Sequence, residues 1–330
     1  MLKGTIVASL LATLLCAAGA SAAGAPPPPT GANGQKVTVV GVGVPTPTAI
    51  VFVGGQTFVA GFGDESKPSV HGGVYVLKGG KAVRVAGSPA HVFGVAAAGS
   101  TLYLSSGAQI LRWSGWNGTR FASSKVVATG PKGFSGFNGI VVKGSKIYAG
   151  VSLGNGKKDD FRKGTGPFAN SVVTVDLASG AIKAVSTGYR QPWQLVFIPG
   201  HSSPIVSDLG QENLKKGLPP DYLAEARPGT NYGFPACPAK PATCSSYAKP
   251  FASFPAHASP MGLGTLGQKL YVALFGGAGK GPEVVSLPLA GGAKTTPLLV
   301  GFKAPVVALG VHGGMVYAGD LTGSVYSVKP

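Results

Sequence analysis

Asn138–Ser152 reads NGIVVKGSKIYAGVS: alternating apolar residues, a turn at Gly144-Ser145, an apolar-aromatic pair, then small residues. Apolar alternation broken by a glycine turn is the signature of a β-hairpin. The phrase recurs as TAIVFVGGQTFVAGF, VFGVAAAGSTLYLSS, WQLVFIPGHSSPIVSD, MGLGTLGQKLYVALF and VVALGVHGGMVYAGD. Anchored on Phe58, Tyr103, Tyr148, Ile205, Tyr271 and Tyr317, the copies lie 45, 45, 57, 66 and 46 residues apart. A period near 45 with strand-turn-strand content is that of a propeller blade.

Each copy is followed by a second alternating pair, such as VYVLKGGKAVRVAG and NSVVTVDLASGAIKAVSTG, so the unit has four strands. Six copies predict an all-β, six-bladed β-propeller. The last copy ends one strand short at Pro330, while KVTVVGVGV (Lys36–Val44) has no partner of its own. The N-terminal strand is therefore predicted to complete the C-terminal blade, which closes the ring and leaves no long open edge. The interval from Ile205 to Tyr271 exceeds the period. The excess belongs to a Gly- and Pro-rich insertion at 207–258, and loops of that length in a compact domain are usually functional or disordered.

The chain opens with Lys3, an apolar run from Ile6 to Ala18, and Ala20-Ser21-Ala22, the pattern of a signal peptide cleaved near Ala22. Leu15 stands where lipidation of Cys16 would want a small residue. Residues 1–22 are thus expected to be removed, 23–35 to form a flexible Pro/Gly/Ala-rich leader, and 36–330 to form the propeller. No later apolar run is long enough to span a membrane. Export to the periplasm or the medium is the expected localisation. Cys237 and Cys244 then remain, six residues apart in a proline-rich turn, and are expected to form a disulfide.

Charged residues are only 12% of the chain, 53 residues are glycine, and the formal net charge is +17. The bases are scattered, mostly lysine, and without an arginine-aromatic cluster, which reads as a solvated basic surface and not as a nucleic-acid site. No Walker loop, G-x-S-x-G elbow, H-E-x-x-H or strand-to-helix G-x-G-x-x-G is present. Asn117-Gly118-Thr119 fits a glycosylation acceptor.

From Thr187 to Leu263 the motifs TGYRQPWQLVF, VSDLGQEN, LPPDYL, GTNYGFPAC and PAHASPMGL come in an order that resembles the glucose/sorbosone dehydrogenases. Those are soluble six-bladed propellers that use pyrroloquinoline quinone (PQQ) and calcium. The resemblance implies that Arg190 faces the quinone, where a guanidinium suits its carboxylates. It also implies that Gln191, Tyr232, Phe234 and Lys280 help to bind the cofactor, and that Gly210 and Gln211 offer backbone carbonyls to Ca2+. Asp208 and Asp221 would support that loop, and His257 matches a histidine found in many relatives. The implied activity is oxidation of an aldose or a sorbosone-like sugar.

The departures from the pattern bear on activity. The family's general base is a histidine ahead of the third inner strand, and here GPKGFSGFNGIVVKGSKIYAG places Phe134 or Ser135 there. Gln191 replaces asparagine, Phe234 replaces tryptophan, FGGAGKG leaves Lys280 as the fifth blade's cation, and APVV stands where relatives show Arg-Pro. His91 lies twelve residues before Tyr103, the offset of Trp193 and Ser259 from their own anchors, and is the substitute candidate for a base. His71 and His312 lie in glycine turns. Without the family's histidine, the alternative function is a non-catalytic propeller that binds carbohydrate or an anionic cell-wall polymer. A calcium-dependent lactonase would need several acidic and amide ligands at the channel, where only Asn138 and Asp208 offer themselves.

Overall fold

The computed structural model describes residues 27–64, 66–67, 69–153, 166–210, 218–237, 246–279 and 281–330, and every regular element among them is a β-strand. Two strands, β1 (Thr30–Gly31) and β2 (Val37–Gly41), precede the repeats. Blade 1 comprises β3 (Pro47–Val53), β4 (Gln56–Gly63), β5 (His71–Lys78) and β6 (Lys81–Arg84). Blade 2 comprises β7 (Gly94–Ala98), β8 (Thr101–Ser106), β9 (Gln109–Trp116) and β10 (Phe121–Thr129). Blade 3 comprises β11 (Phe137–Lys143), β12 (Lys146–Val151), β13 (Ser171–Asp176) and β14 (Ile182–Thr187). Blade 4 comprises β15 (Pro192–Val196), β16 (Ile205–Asp208), β17 (Asp221–Glu225) and β18 (Ala252–Phe254). Blade 5 comprises β19 (Pro260–Leu266), β20 (Lys269–Leu274), β21 (Glu283–Pro288) and β22 (Thr296–Val300). Blade 6 has β23 (Val306–His312), β24 (Met315–Asp320) and β25 (Val325–Val328).

Each blade is an antiparallel sheet in chain order, and the first strands pack side by side in a ring: β3 against β7 and β23, β11 against β7 and β15, β19 against β15 and β23. The predicted six-bladed propeller is therefore the observed fold. The repeat's alternation has a clear physical cause, because each blade has two apolar neighbours. In β8, Leu102 and Leu104 enter the core between blades 1 and 2 while Tyr103 enters the core between blades 2 and 3. In β20, Val272 joins the core shared with blade 4 and Tyr271 the core shared with blade 6. Both faces of a middle strand are buried, so such strands read as nearly continuous apolar runs.

Close approach of the inner strands requires glycine. A Cβ on Gly139 would lie 2.4 Å from the Trp193 carbonyl of the next blade, and one on Gly310 would lie 2.8 Å from the Ile50 carbonyl. The hairpin turns use glycine differently: Gly54 and Gly55 have φ of 55° and 74°, the left-handed pair of a type I′ turn.

Blade 6 gains its fourth strand from the N-terminus, as predicted, since β2 pairs with β25 through Val37↔Val328 and Val39↔Tyr326. The Val44 amide also donates to the Gly323 carbonyl at 3.1 Å. Two residues of the expected leader are ordered as well: Thr30 and Gly31 form β1 and add a fifth strand to blade 5 through Thr30↔Val300. The long insertion is split by β17 into 209–220 and 226–251, and β17 pairs with β16 and β18. Removing residues 1–42 should uncover Tyr326 and Val325, which are 2% and 0% exposed. The expected loss is about 3–6 kcal/mol, at roughly 1.5–3 kcal/mol per side chain. Urea denaturation of the full and shortened chains would measure it.

Candidate functional site

One end of the ring is a mouth built from the end of β4 and the starts of β15, β19 and β23, together with residues just outside β7 and β16. There Phe62, Phe93, Trp193, Leu209, Met261 and Val307 form an apolar cluster with all six side chains buried. The Phe62 and Phe93 ring centroids are 4.8 Å apart, and Phe93 meets Trp193 edge-on at 6.4 Å. Phe93 belongs to blade 2 and Trp193 to blade 4, so that contact reaches across the mouth. Gln194 makes a second crossing, its Nε2 donating to the Thr48 carbonyl of the opposite blade at 3.0 Å. Along the axis below it is a cavity of about 270 Å³, lined by three consecutive residues of each inner strand, Gln194–Val196 among them.

Short polar side chains join neighbouring blades around the mouth. Thr48 Oγ1 donates to the Val92 carbonyl at 3.0 Å, Ser105 Oγ to Asn138 O at 2.6 Å, Asn138 Nδ2 to Pro192 O at 2.7 Å, and Ser207 Oγ to Met261 O at 2.8 Å. Two buried atoms at this end, Asn138 Oδ1 and Trp193 Nε1, have no hydrogen-bond partner among the described residues. Burying a polar atom without a partner is costly, so such atoms call for an explanation. His91 is half-buried at the same end, its Nδ1 2.7 Å from the Phe62 carbonyl. A carbonyl can only accept, so Nδ1 carries the hydrogen, and in the neutral ring Nε2 is left as an acceptor.

Blade 4 holds the densest polar network. Asp208 (1% exposed) accepts from the Arg190 amide at 3.1 Å through Oδ2 and from the Gln191 amide at 2.7 Å through Oδ1. Asp221, equally buried, accepts from the Gly210 amide and, at 2.7 Å, from the Ser259 amide. Arg190 is 1% exposed, and its Nη1 donates to the Gly210 carbonyl at 2.8 Å. Burial pushes the Asp208 carboxyl up to about 6, although hydrogen bonds from Tyr222 and the two amides and the Arg190 charge all pull it down. Gln191 Oε1 accepts from the Leu153 amide at 2.8 Å.

Tyr232 packs against Tyr189 at 5.2 Å, donates its hydroxyl to the Glu225 carbonyl at 2.7 Å, and belongs to the core cluster of Tyr189 and Tyr222. Phe234 is half-exposed and precedes a cis proline. Cys237 ends a described segment with its amide on the Gly233 carbonyl at 2.8 Å. Gln211, Cys244 and Lys280 lie outside the described residues. Phe134 is buried against Phe137, and Ser135 Oγ donates to the Ser152 carbonyl at 2.6 Å, so neither position supplies a base. His257 is exposed with φ of 64°, His71 is exposed, and the exposed His312 stacks on Phe52 at 4.6 Å. Sequence reasoning missed the Phe62–Phe93–Trp193 plug, although bulky apolar residues recur near the mouth end of several inner strands.

A tricarboxylate quinone and Ca2+ do not fit this arrangement of the described residues. Arg190 holds the Gly210 carbonyl that calcium would need, and a divalent ion there would face the guanidinium at close range. Both oxygens of Asp208 and of Asp221 already accept backbone amides. No three His, Cys, Asp or Glu side chains gather among the described residues. The orphaned atoms, an amide oxygen and an indole N–H, are neutral.

No protein family and no curated protein matches the sequence. The fold, in contrast, is shared with solved structures. One is a Trichoderma reesei protein of carbohydrate-active enzyme family AA12, at 16% identity and TM-score 0.70, covering 92% of this chain and 97% of that one. Another is the PQQ domain of a Coprinopsis cinerea pyranose dehydrogenase in its holo form, at 17% identity and TM-score 0.69, covering 93% and 99%. A third is the PQQ-bound aldose sugar dehydrogenase of Streptomyces coelicolor, at 20% identity and TM-score 0.66, covering 92% and 99%.

The Asp208 shift gives a signed prediction. A carboxyl that holds its proton more tightly folded than unfolded favours the fold in its neutral form. That contribution is complete below about pH 4 and is lost as pH rises through about 6. Asp208→Asn, which offers one acceptor where the carboxylate offers two, should start less stable and lack the wild-type decline between those pH values. Denaturation midpoints of both proteins across that window would check it.

Proposed function

We propose that this chain, whose fold is that of the PQQ-dependent sugar dehydrogenases, is an exported carbohydrate-binding propeller that takes a neutral sugar at its mouth without quinone chemistry. The observation that carries this reading is Arg190: the guanidinium implied to face the quinone is buried and donates to the Gly210 carbonyl. The buried polar atoms of Trp193 and Asn138 that lack a partner among the described residues are uncharged. A sugar hydroxyl both donates and accepts, so it can satisfy Trp193 Nε1 as donor and Asn138 Oδ1 or His91 Nε2 as acceptors. The Phe62 and Phe93 rings are buried in the plug, so the sugar takes this place by displacing it, and its C–H face then meets the two rings, as in pockets that combine aromatic walls with a few placed polar groups. In the same reading the signal peptide directs export, and Cys237 bridges to Cys244 in the oxidising compartment.

A second reading is oxidation of an aldose or sorbosone-like sugar with PQQ and Ca2+. It is favoured by the PQQ-bound relatives and by the retained order of Arg190, Gly210, Tyr232 and Phe234. It needs Arg190 to turn away from Gly210, with His91 as base.

One experiment separates the two. The purified protein is incubated with PQQ and Ca2+, freed of unbound cofactor, and its absorbance is recorded before and after aldoses and sorbosone are added. The first reading expects no retained quinone, together with calorimetric binding of a neutral mono- or oligosaccharide. Retained quinone that sugar reduces would replace it with the second. Trp193→Phe keeps an aromatic ring but removes the unpartnered indole donor. It should weaken sugar binding by about tenfold, the worth of one hydrogen bond, and lower the melting temperature by a few degrees without unfolding the ring, because it empties buried volume.

A further inference from the structure

Strand direction places one group of exposed lysines at the end opposite the mouth. The second-to-third and fourth-to-first connections lie at the mouth, so the first-to-second and third-to-fourth hairpins all lie at the opposite end. Lys78 and Lys81 flank the β5–β6 turn, Lys143 and Lys146 flank the β11–β12 turn, Lys269 begins β20, and Lys329 follows β25. All six are exposed. The described acids at that end are Asp176 and Glu225, and both are engaged already. Asp176 accepts from Ser179, and Glu225 lies 3.0 Å from His201 and 3.9 Å from Arg227. Four other acids, Asp208, Asp221, Glu283 and Asp320, are buried and leave the surface uncompensated.

We propose that the face opposite the mouth is a docking surface for a linear anionic carbohydrate polymer with carboxylate groups along its chain. The occupant follows from charge complementarity and from what the hairpin tips lack. Three of the turns, Gly54-Gly55, Gly79-Gly80 and Gly313-Gly314, have no side chain to enter a bilayer, and Leu177 and Leu289 in two others pack onto the blade cores. The large apolar residues exposed among the described ones, Val39, Val42, Val83 and Val126, lie in or beside strands and not at these tips. Lysines are compact point charges without the planar fork that reads phosphate or base geometry, and they suit a flexible polyanion held by charge density. Lys143, whose Nζ lies 4.2 Å from the Phe197 ring centroid, covers an aromatic ring that could otherwise stack on a nucleobase. The proposal does not depend on what occupies the mouth.

The probe is polygalacturonate, titrated into the full chain by calorimetry at about 50 mM salt and again at higher salt. Binding should weaken steeply with salt, as expected when counterions are released from a polyanion. The triple variant Lys143→Glu/Lys146→Glu/Lys269→Glu should lose at least about tenfold in affinity. The control Lys67→Glu/Lys132→Glu/Lys303→Glu makes the same change in net charge on mouth-side loops and should lose less than about twofold. All six lysines are exposed, and circular dichroism of each variant confirms that it is folded. Equal losses in the two triple variants would overturn the proposal, because net charge alone would then explain binding. So would tighter binding of duplex DNA or of phosphatidylglycerol vesicles than of polygalacturonate, or no polygalacturonate binding at the lower salt.

Discussion

The pairing of β2 with β25 joins the first long strand of the chain to the last, and the rest of the structure depends on that closure. No blade has a core of its own. Val59 and Tyr75 of blade 1 are buried only because Ala308 and Val325 of blade 6 cover them, and the same dependence runs around the ring. An open ring would therefore expose two apolar faces as well as two strand edges. Closure also fixes the mouth, because contacts such as Gln194 to Thr48 and Phe93 to Trp193 join blades that lie far apart in sequence.

The blade architecture was legible because it is written locally. The phrase around Gly144 repeats with a spacing that only a ring of like units explains, and counting strands was enough to send Lys36–Val44 to the last blade. β1 was hidden inside a Pro/Gly-rich leader because two residues carry no period. The site was less legible for a different reason. Arg190 sits where the resemblance puts it, but the direction of a long side chain depends on which acceptors lie nearby, and the Gly210 carbonyl is supplied by a loop some twenty residues later. The orphaned atoms of Asn138 and Trp193 could not have been foreseen, since a missing partner is a property of three-dimensional surroundings.

The buried acids are taken up in holding turns, which leaves the described exterior basic. Asp208 ends β16 and Asp320 ends β24, the same place in two blades, and each is used as an acceptor for turn amides. Asp221 does the same for Gly210 and Ser259. A buried carboxylate that accepts two amides holds the turn that supplies them, and its burial without those partners would be costly. Arg190 behaves likewise, as a buried cation whose donors hold the chain after β16 in place.

The two ends of the ring thus differ in the kind of recognition they can offer. In the proposed sugar site, the uncharged donor of Trp193 and acceptor of Asn138 would discriminate by geometry, since each unmatched polar atom there carries a desolvation cost. At the opposite end, exposed lysines on glycine turns discriminate by charge density and tolerate many arrangements of the partner. Because the fold separates these ends by the full length of the inner strands, a polymer held at the basic end would leave the mouth facing away from it and open to a small ligand. In blade 4 the chain after β17 leaves the end opposite the mouth and climbs beside β14, where the Gly229 amide donates to the Val185 carbonyl and the Phe234 amide to the Gly188 carbonyl, so this part of the insertion connects the two ends.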